Sequence, residues 1–174
     1  PVSRLGLALI GVLTLATAIT GATYVAREWV LRNIPARVLD PVLGAVFGFR
    51  LERDVMVPMR DGVHLATNLY FPTTGAPPYA TVLVRLPYNK DEFITARRAA
   101  INFARRGFVV GVQDWRGTSH SEGVFPTPAH DGEDGSDTLN WLAGQPWSNG
   151  RVGTFGCSSL GDTQIFLART RNPH

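Results

Sequence analysis

A serine-containing turn between a predicted strand and a predicted helix is the feature that most constrains this fold. An apolar, strand-like run over residues 151–155 ends at Gly156, and helix-forming residues continue from Leu160 to Ala168. A serine in such a turn, with glycine on both sides, is typical of a nucleophile elbow, which holds a hydroxyl above the end of a sheet. Such a turn is so sharp that we expect its closely packed positions to lack side chains.

The glycine spacing around this turn leaves two candidates for the nucleophile. The strict pattern places glycine two positions before and two positions after the serine. Ser158 has only the earlier glycine, Gly156, and Ser159 has only the later one, Gly161. A thiol nucleophile at Cys157 lacks the glycine spacing altogether, so we expect this cysteine to be a small buried residue. The spacing therefore predicts a reactive serine without choosing between the two.

The N-terminal residues 1–27 contain an uncharged apolar run. Residues 5–26 lie between Arg4 and Arg27, and a helix of this length, at 1.5 Å per residue, would span about 33 Å, which crosses a bilayer core. We therefore predict a membrane anchor that contacts lipid through residues 5–26. A signal peptide, cleaved near residues 16–18 and leading to export, is the alternative. The arginines on the two sides of the run leave the membrane side open.

Residues 28–50 are interpreted as a juxtamembrane linker. They carry a loose helical stripe of apolar residues that Pro35 and Pro41 interrupt. Trp29 among arginines is typical of a membrane interface, and an ordinary packing helix is the alternative.

The distribution of charge excludes a nucleic-acid-binding protein. The net charge is +3, with seven arginines and four acids in residues 1–60, and ten basic and ten acidic residues in the remainder. The excess positive charge therefore lies in the N-terminal arm, and the remainder is neutral, without the basic face that nucleic acid requires.

Residues 51–174 are predicted to form an α/β fold. The expected elements are a hairpin of strands 54–59 and 63–71 around Arg60-Asp61-Gly62, a strand at 81–84, a helix at 91–106 that ends at Gly107, a strand at 108–112, a loop at 115–130, a helix from Asp131, and the strand at 151–155. Apolar strands separated by helices favour a mostly parallel sheet that is covered on both faces.

Several short motifs in this region resemble one family. They are Arg60-Asp61-Gly62-Val63-His64-Leu65, Arg85-Leu86-Pro87-Tyr88-Asn89-Lys90, Gln113-Asp114-Trp115-Arg116-Gly117, Ser121-Glu122-Gly123, Asp137-Thr138-Leu139-Asn140-Trp141-Leu142 and Trp147-Ser148-Asn149-Gly150-Arg151-Val152-Gly153. Together with the serine turn they resemble the CocE/NonD hydrolases, relatives of the X-Pro dipeptidyl-peptidases, over about residues 52–172. The resemblance implies that residues 51–174 form the N-terminal part of an α/β-hydrolase catalytic domain.

The resemblance also implies roles for three residues. The family's serine motif, Gly-x-Ser-Tyr-x-Gly, selects Ser158 as the nucleophile. The backbone N–H of the next residue, Ser159, and the hydroxyl of Tyr88 would donate to the oxyanion. This chain has serine at 159 where the family usually has tyrosine, which leaves the backbone donor in place and changes the packing near the nucleophile.

Other polar residues near the predicted site are expected to be structural. Asp114 and Arg116 follow a strand and are predicted to form an ion pair that holds a loop near the pocket. The acids Asp131, Glu133 and Asp134 lie near a helix start, where acids are usually partners of the helix dipole rather than metal ligands. We predict no metal and no cofactor.

A serine nucleophile needs a histidine base and an acid that orients it. In α/β-hydrolases both follow the serine, and after Ser158 the chain offers only Asp162 and His174, neither of which is a plausible partner. His64, His120 and His130 precede the serine. We therefore expect the chain to be part of a longer protein, with the nucleophile and oxyanion donors but without the relay, and to be inactive alone.

The resulting hypothesis is a serine hydrolase that cleaves ester or amide bonds through an acyl-enzyme. Its partners would be small-molecule esters or peptides, such as X-Pro peptides, α-amino esters or aryl esters. A membrane-tethered, non-catalytic binding protein on a hydrolase scaffold is the alternative.

Overall fold

The computed structural model describes residues 33–34, 36–125 and 127–174. The predicted anchor or signal peptide at residues 1–27, the first residues of the predicted linker and Pro35 lie outside the described residues. Within the described ranges, no helix is long and apolar enough to cross a bilayer. The chain divides into two compact units, one that ends at Gly48 and one that extends from Phe49 to His174.

The first unit contains helix α1, Ala36–Phe47. We expected Pro41 to interrupt the helical stripe of the linker, but the helix continues through it. The helix stops at Gly48, which adopts a positive φ of 73° and donates its N–H to the Gly44 carbonyl at 2.9 Å. A left-handed glycine directly after the last turn is a common way to end a helix.

The second unit is a five-stranded sheet with helices between its strands. Its elements are β1 Phe49–Pro58, β2 His64–Pro72, β3 Tyr79–Leu86, α2 Ile94–Ala104, β4 Val109–Asp114, α3 Pro128–Ala143, β5 Ser148–Thr154 and α4 Ser159–Ala168. The strand order is β1-β2-β4-β3-β5. Strands β4, β3 and β5 are parallel, whereas β1 and β2 are antiparallel to their neighbours.

The sheet is therefore mixed, and the prediction of a mostly parallel sheet is only partly correct. Strands β1 and β2 form the predicted hairpin, in which Gly62 has a φ of 85° and Met59 donates its N–H to the Val63 carbonyl at 2.8 Å. A tight hairpin makes its two strands antiparallel, and β2 then pairs with β4 in the same antiparallel sense. The flanking helices and the α/β class agree with the prediction.

The core lies between the sheet and helices α3 and α4. Eight buried apolar side chains form one cluster: Leu69, Phe71, Leu83, Val109, Leu139, Leu142, Val152 and Leu167. Each such side chain contributes on the order of 1.5–3 kcal/mol when it is removed from water. Strands β2, β3 and β4 are buried over almost their whole length, which explains why their sequences lack polar alternation.

Helix α3 begins earlier than the sequence indicated. We expected its start at Asp131, but it begins at Pro128, with Thr127 as the N-cap whose side chain accepts from the His130 N–H. Proline at the first helical position and threonine at the cap are both favoured there. The loop before the helix is correspondingly shorter than predicted.

The three parallel strands bring the predicted site residues to one edge of the sheet. Strand β3 ends two residues before Tyr88, β4 ends at Asp114, and β5 ends four residues before Ser158. Sites in open α/β sheets form at the carboxyl ends of the strands, and this edge is therefore where a site is expected.

Candidate active site

The turn between β5 and α4 places Ser158 in a strained backbone conformation. Ser158 has φ 55° and ψ −133°, a region that non-glycine residues rarely occupy and that costs on the order of 1–3 kcal/mol. Ser158 is exposed, and its hydroxyl has no hydrogen-bond partner among the described residues. A strained turn that exposes a serine hydroxyl is the geometry of a nucleophile elbow.

The two glycines of the turn differ in what they contribute. A Cβ on Gly156 would lie 2.3 Å from the Leu160 Cβ, whereas a Cβ on Gly161 would meet only the Gly156 carbonyl oxygen at 3.7 Å. The expectation that side chains are excluded is therefore correct for Gly156 and wrong for Gly161. Glycine at 156 lets the strand and the first turn of α4 approach each other closely.

Ser159 and Tyr88 lie together beside this turn. The Tyr88 hydroxyl is 3.2 Å from the Ser159 Oγ, and the Tyr88 ring packs against Phe93 with a centroid separation of 4.9 Å. The backbone N–H of Ser159, the first residue of α4, has no acceptor among the described residues. The structure thus brings the Tyr88 hydroxyl to Ser159, the residue that follows Ser158 and whose backbone N–H is the other expected oxyanion donor.

A buried lysine anchors the loop that carries Tyr88. Lys90 and Asp114 both have side chains with 0% exposure, and the Lys90 Nζ lies 3.0 Å from Asp114 Oδ2. The Lys90 backbone N–H also donates to Asp114 Oδ1 at 2.8 Å. Burial raises the pKa of Asp114, and the hydrogen bonds from Lys90 oppose that rise. Lys90 thus ties the Tyr88 loop to the end of β4.

The Lys90 ammonium has a second carboxylate partner on β1. Asp54 Oδ1 lies 2.7 Å from the Lys90 Nζ and 2.8 Å from the His120 Nδ1. Burial alone would raise the pKa of Asp54, but the hydrogen bonds from Lys90 and His120 outweigh it and lower the pKa to about 2. Asp54 is therefore ionised at neutral pH and shares the lysine charge with Asp114.

The predicted ion pair between Asp114 and Arg116 is wrong. Asp114 binds Lys90, and Arg116 instead forms side-chain hydrogen bonds with Asp134 of α3 at 2.6 and 2.9 Å and with Asp61 of the hairpin turn at 2.7 and 3.2 Å. The hydrogen bonds with Asp134 and Asp61 raise the pKa of the guanidinium despite its partial burial. Arg116 thus joins the β1–β2 turn to α3.

The three predicted acids of helix α3 are all paired with arginines, and one of them also lies where the helix dipole acts. Asp131, Glu133 and Asp134 each lie within 4 Å of an arginine nitrogen, on Arg85, Arg60 and Arg116 respectively. Because the helix starts at Pro128, only Asp131 lies in its first turn, where the dipole acts. Burial raises the pKa of Asp131, which fits a carboxyl that is enclosed with its arginine.

One cluster has the composition of a metal site. Single ligand atoms of Asp54, Asp91 and His120 lie within 4.8 Å of one another. The Lys90 Nζ, however, is hydrogen-bonded to Asp54 and lies 3.2 Å from the His120 Nδ1, and an ammonium has no lone pair to offer a metal. Asp91 is also paired with Arg53. We therefore interpret the cluster as an ionic network.

A cavity of about 540 Å³ opens beside Ser158. Its lining is mainly apolar and includes Val84, Phe93 and Phe155, with Tyr88 and Cys157 at the site itself. Cys157 is exposed, and the expectation of a buried cysteine is therefore wrong. The reason is that Cys157 belongs to the turn itself, outside the layer packed between sheet and helices.

The four histidines of the chain all have other partners. None of them hydrogen-bonds to Ser158 in the described ranges. The partners are Glu122 for His64, Asp54 and Lys90 for His120, Thr127 for His130, and the Gly150 carbonyl for His174. The described part of the chain therefore brings no imidazole to the serine.

Sequence reasoning missed the roles of Lys90, Phe93 and the Ser159 hydroxyl. Lysine is almost never fully buried without a partner, and nothing local marks Lys90 as an exception. The only available signal was its place in the Pro-Tyr-x-Lys run, directly after a buried strand. The contacts of Phe93 and Ser159 depend on a loop and a helix start that meet only in the folded chain.

Comparison with known proteins places these features in a family. The sequence profile of the X-Pro dipeptidyl-peptidases (S15 family) matches residues 61–174. Cocaine esterase from Rhodococcus sp. (strain MB1 Bresler) is 44% identical over 119 residues, which cover 67% of this chain and 21% of that protein.

Comparison with solved structures also finds hydrolases of this kind. A CocE/NonD family hydrolase from Staphylococcus aureus has a TM-score of 0.64 at 29% identity, covering 72% of this chain and 26% of that one. An α-amino acid ester hydrolase has a TM-score of 0.62 at 28% identity, covering 74% of this chain and 24% of that one. This chain thus spans only about a fifth to a quarter of the length of these relatives. The resemblance found in the sequence is confirmed: the chain has an α/β-hydrolase fold and belongs to the X-Pro dipeptidyl-peptidase (S15) family, together with the CocE/NonD hydrolases.

Proposed function

We propose that this chain supplies the nucleophile and the oxyanion donors of a serine hydrolase that cleaves ester or amide bonds through an acyl-enzyme. The observation that carries the proposal is the conformation of Ser158, an exposed serine at φ 55° in a turn that requires glycine at 156. Family membership supports it, because relatives are named as an esterase, an ester hydrolase and a dipeptidyl-peptidase.

The proposed chemistry begins with attack of the Ser158 Oγ on the carbonyl carbon of the substrate. The Oγ–C bond forms, the serine proton passes to a base, and the carbonyl oxygen becomes an oxyanion. The N–H of Ser159 and the hydroxyl of Tyr88 donate to that oxyanion and stabilise the tetrahedral intermediate. Collapse of the intermediate expels the alcohol or amine, which takes up the proton, and water then hydrolyses the acyl-enzyme.

The proposed mechanism needs a histidine base and an orienting acid. The histidine rings of the described residues are engaged elsewhere, as their partners show. We therefore propose that the base and the acid come from a part of the protein other than the described residues. Without them, the serine would keep only the residual catalysis that an oxyanion hole provides.

The cavity beside Ser158 favours an apolar acyl group. Its volume, about 540 Å³, lies within the range of small-molecule sites. Its wall near the turn is formed by aromatic and aliphatic side chains such as Phe93, Phe155 and Val84, and no ionised side chain of the described residues lines it. We propose that the acyl part of an ester or amide, aromatic or branched and uncharged, occupies this space.

The test is pre-steady-state hydrolysis of p-nitrophenyl benzoate by the full-length protein. A burst of p-nitrophenol equal to the enzyme concentration, followed by slower turnover, is expected if an acyl-enzyme forms. Ser158→Ala should abolish the burst, and Thr74→Ala, which removes a hydroxyl from an exposed loop, should retain it. Absence of a burst and of turnover in the unsubstituted protein would instead support a non-catalytic binding protein on the same scaffold.

A further inference from the structure

We propose that the side chain of Ser159 is a positioning group for Tyr88. In this inference, which rests on the proposed function, the Ser159 hydroxyl donates a hydrogen bond to the phenol oxygen. The single proton of the phenol then remains available for the oxyanion. Ser159 would act twice, with its backbone N–H directly on the oxyanion and with its hydroxyl through Tyr88.

The inference starts from the contact of the two hydroxyls. The Tyr88 Oη and the Ser159 Oγ are 3.2 Å apart, and each group has one proton to donate and lone pairs to accept. If Tyr88 donates to Ser159, its proton points away from the oxyanion. If Ser159 donates to Tyr88, the phenol proton is free to point elsewhere. A negative charge that forms nearby selects the second arrangement, because a donor to an anion makes the stronger hydrogen bond.

The hydrogen bond with Tyr88 is the one that the Ser159 hydroxyl makes among the described residues. No second hydrogen-bond partner of its Oγ is found in the described part of the chain, and the residue is half-buried. Its backbone is fixed because Ser159 is the first residue of α4. The hydroxyl therefore presents a donor from a rigid element, which is the requirement for a group that orients another.

Tyr88 needs such a partner. Tyr88 lies on a loop and is 44% exposed, so that water can compete for hydrogen bonds with its hydroxyl. The Phe93 ring supports one side of the tyrosine ring, and Lys90 anchors the loop two residues further on. Neither of them hydrogen-bonds to the phenol oxygen in the described part of the chain. The direction of the hydroxyl is thus set by Ser159 alone among the described residues.

The experiment is a double-mutant cycle on the full-length protein with Ser159→Ala, Tyr88→Phe and the double variant, measured as kcat and KM for p-nitrophenyl benzoate. Tyr88→Phe should lower kcat about 100-fold, the effect of losing one oxyanion donor. Ser159→Ala should lower kcat about 10-fold with KM nearly unchanged, since the coupled contact acts in the transition state. In the Tyr88→Phe background, Ser159→Ala should change kcat by no more than about twofold.

Ser159→Thr, which keeps the hydroxyl, is the matched control and should restore kcat to within about threefold of the unsubstituted protein. An equal loss from Ser159→Ala in both Tyr88 backgrounds, or a Thr variant as slow as the Ala variant, would overturn this inference and leave the proposed function intact. If Ser158→Ala leaves turnover unchanged, both this inference and the proposed function are refuted.

Discussion

Replacement of Lys90 by methionine tests the account of how the Tyr88 loop is held. Methionine has a similar length and no charge, so the substitution removes the ammonium and leaves the apolar stem. The Asp114 carboxylate, which is fully buried, would then lose its counter-ion. The Asp54 carboxylate would lose its ion pair with the ammonium and keep its contact with His120.

The expected loss of stability follows from these contacts. Removal of one partner from a buried ion pair costs about 3–5 kcal/mol, because the other charge remains in a low dielectric. Asp114 would keep a backbone N–H at 2.8 Å and a weaker one at 3.4 Å, which places the loss near the lower end. Asp54, about a third exposed, would add under 1 kcal/mol. We expect Lys90→Met to lower the free energy of unfolding by about 3–4 kcal/mol at pH 7.

The loss should shrink as the pH falls. Burial already raises the pKa of Asp114 above its ordinary value, and Lys90 opposes that rise. Without Lys90 the pKa of Asp114 rises further, so the folded variant takes up a proton at a higher pH than the unsubstituted protein does. An acid whose pKa is raised in the folded state stabilises that state at low pH, and this stability is lost as the pH rises through the folded-state pKa.

The assay is urea unfolding followed by tryptophan fluorescence at pH 7 and pH 5, with the double variant Lys90→Met/Asp114→Asn as the control. The double variant should be more stable than Lys90→Met at pH 7, because asparagine removes the unpaired charge and keeps an acceptor for the backbone N–H of residue 90. A loss under 1 kcal/mol in Lys90→Met, or a double variant that is less stable than the single one, would refute the reasoning.

Three further predictions follow from the turn and its surroundings. Gly156→Ala places a Cβ 2.3 Å from Leu160 and should abolish turnover and lower the thermal midpoint, whereas Gly161→Ala should leave the midpoint nearly unchanged; equal effects of the two would contradict the steric argument. Cys157, which is exposed, should be modified by a thiol reagent in the native protein, as peptide mass spectrometry would show, and thereby slow turnover; modification of Cys157 only after denaturation would show that it is buried. Asp54, with its pKa lowered to about 2, should contribute about 1 kcal/mol after screening, present above pH 3.8 and lost towards pH 2, so the stability gap to Asp54→Asn should close over that range.

Most of the fold could be predicted from the sequence, because the signals for its turns, helix ends and buried strands lie in short stretches of neighbouring residues. The hairpin follows from Asp61-Gly62, the helix stop from Gly107 with its φ of 89°, and the buried strands from runs without polar alternation. The mixed sheet was missed because strand order and direction depend on which strands pair after the chain has turned back. The early start of α3 was missed because Thr127 and Pro128 were assigned to a loop, although both are favourable at a helix start.

The site could be predicted only in part. Glycine spacing located the turn but left Ser158 and Ser159 open as nucleophiles. Of these two serines only Ser158 has a positive φ, which supports its choice. The partner of Arg116 and the exposure of Cys157 were predicted incorrectly, because each is decided by neighbours that are distant in sequence. The roles of Ser158, Ser159 and Tyr88 in catalysis stay predictions, as does the membrane or export role of residues 1–27.

The most direct test of the central claim, that the Ser158 hydroxyl is the nucleophile, is fluorophosphonate labelling of the full-length protein with the modified residue identified by mass spectrometry. The account predicts one adduct, on Ser158, that is lost in Ser158→Ala and retained in Ser159→Ala. An adduct on Ser159 or Cys157, or labelling that persists in Ser158→Ala, would contradict it.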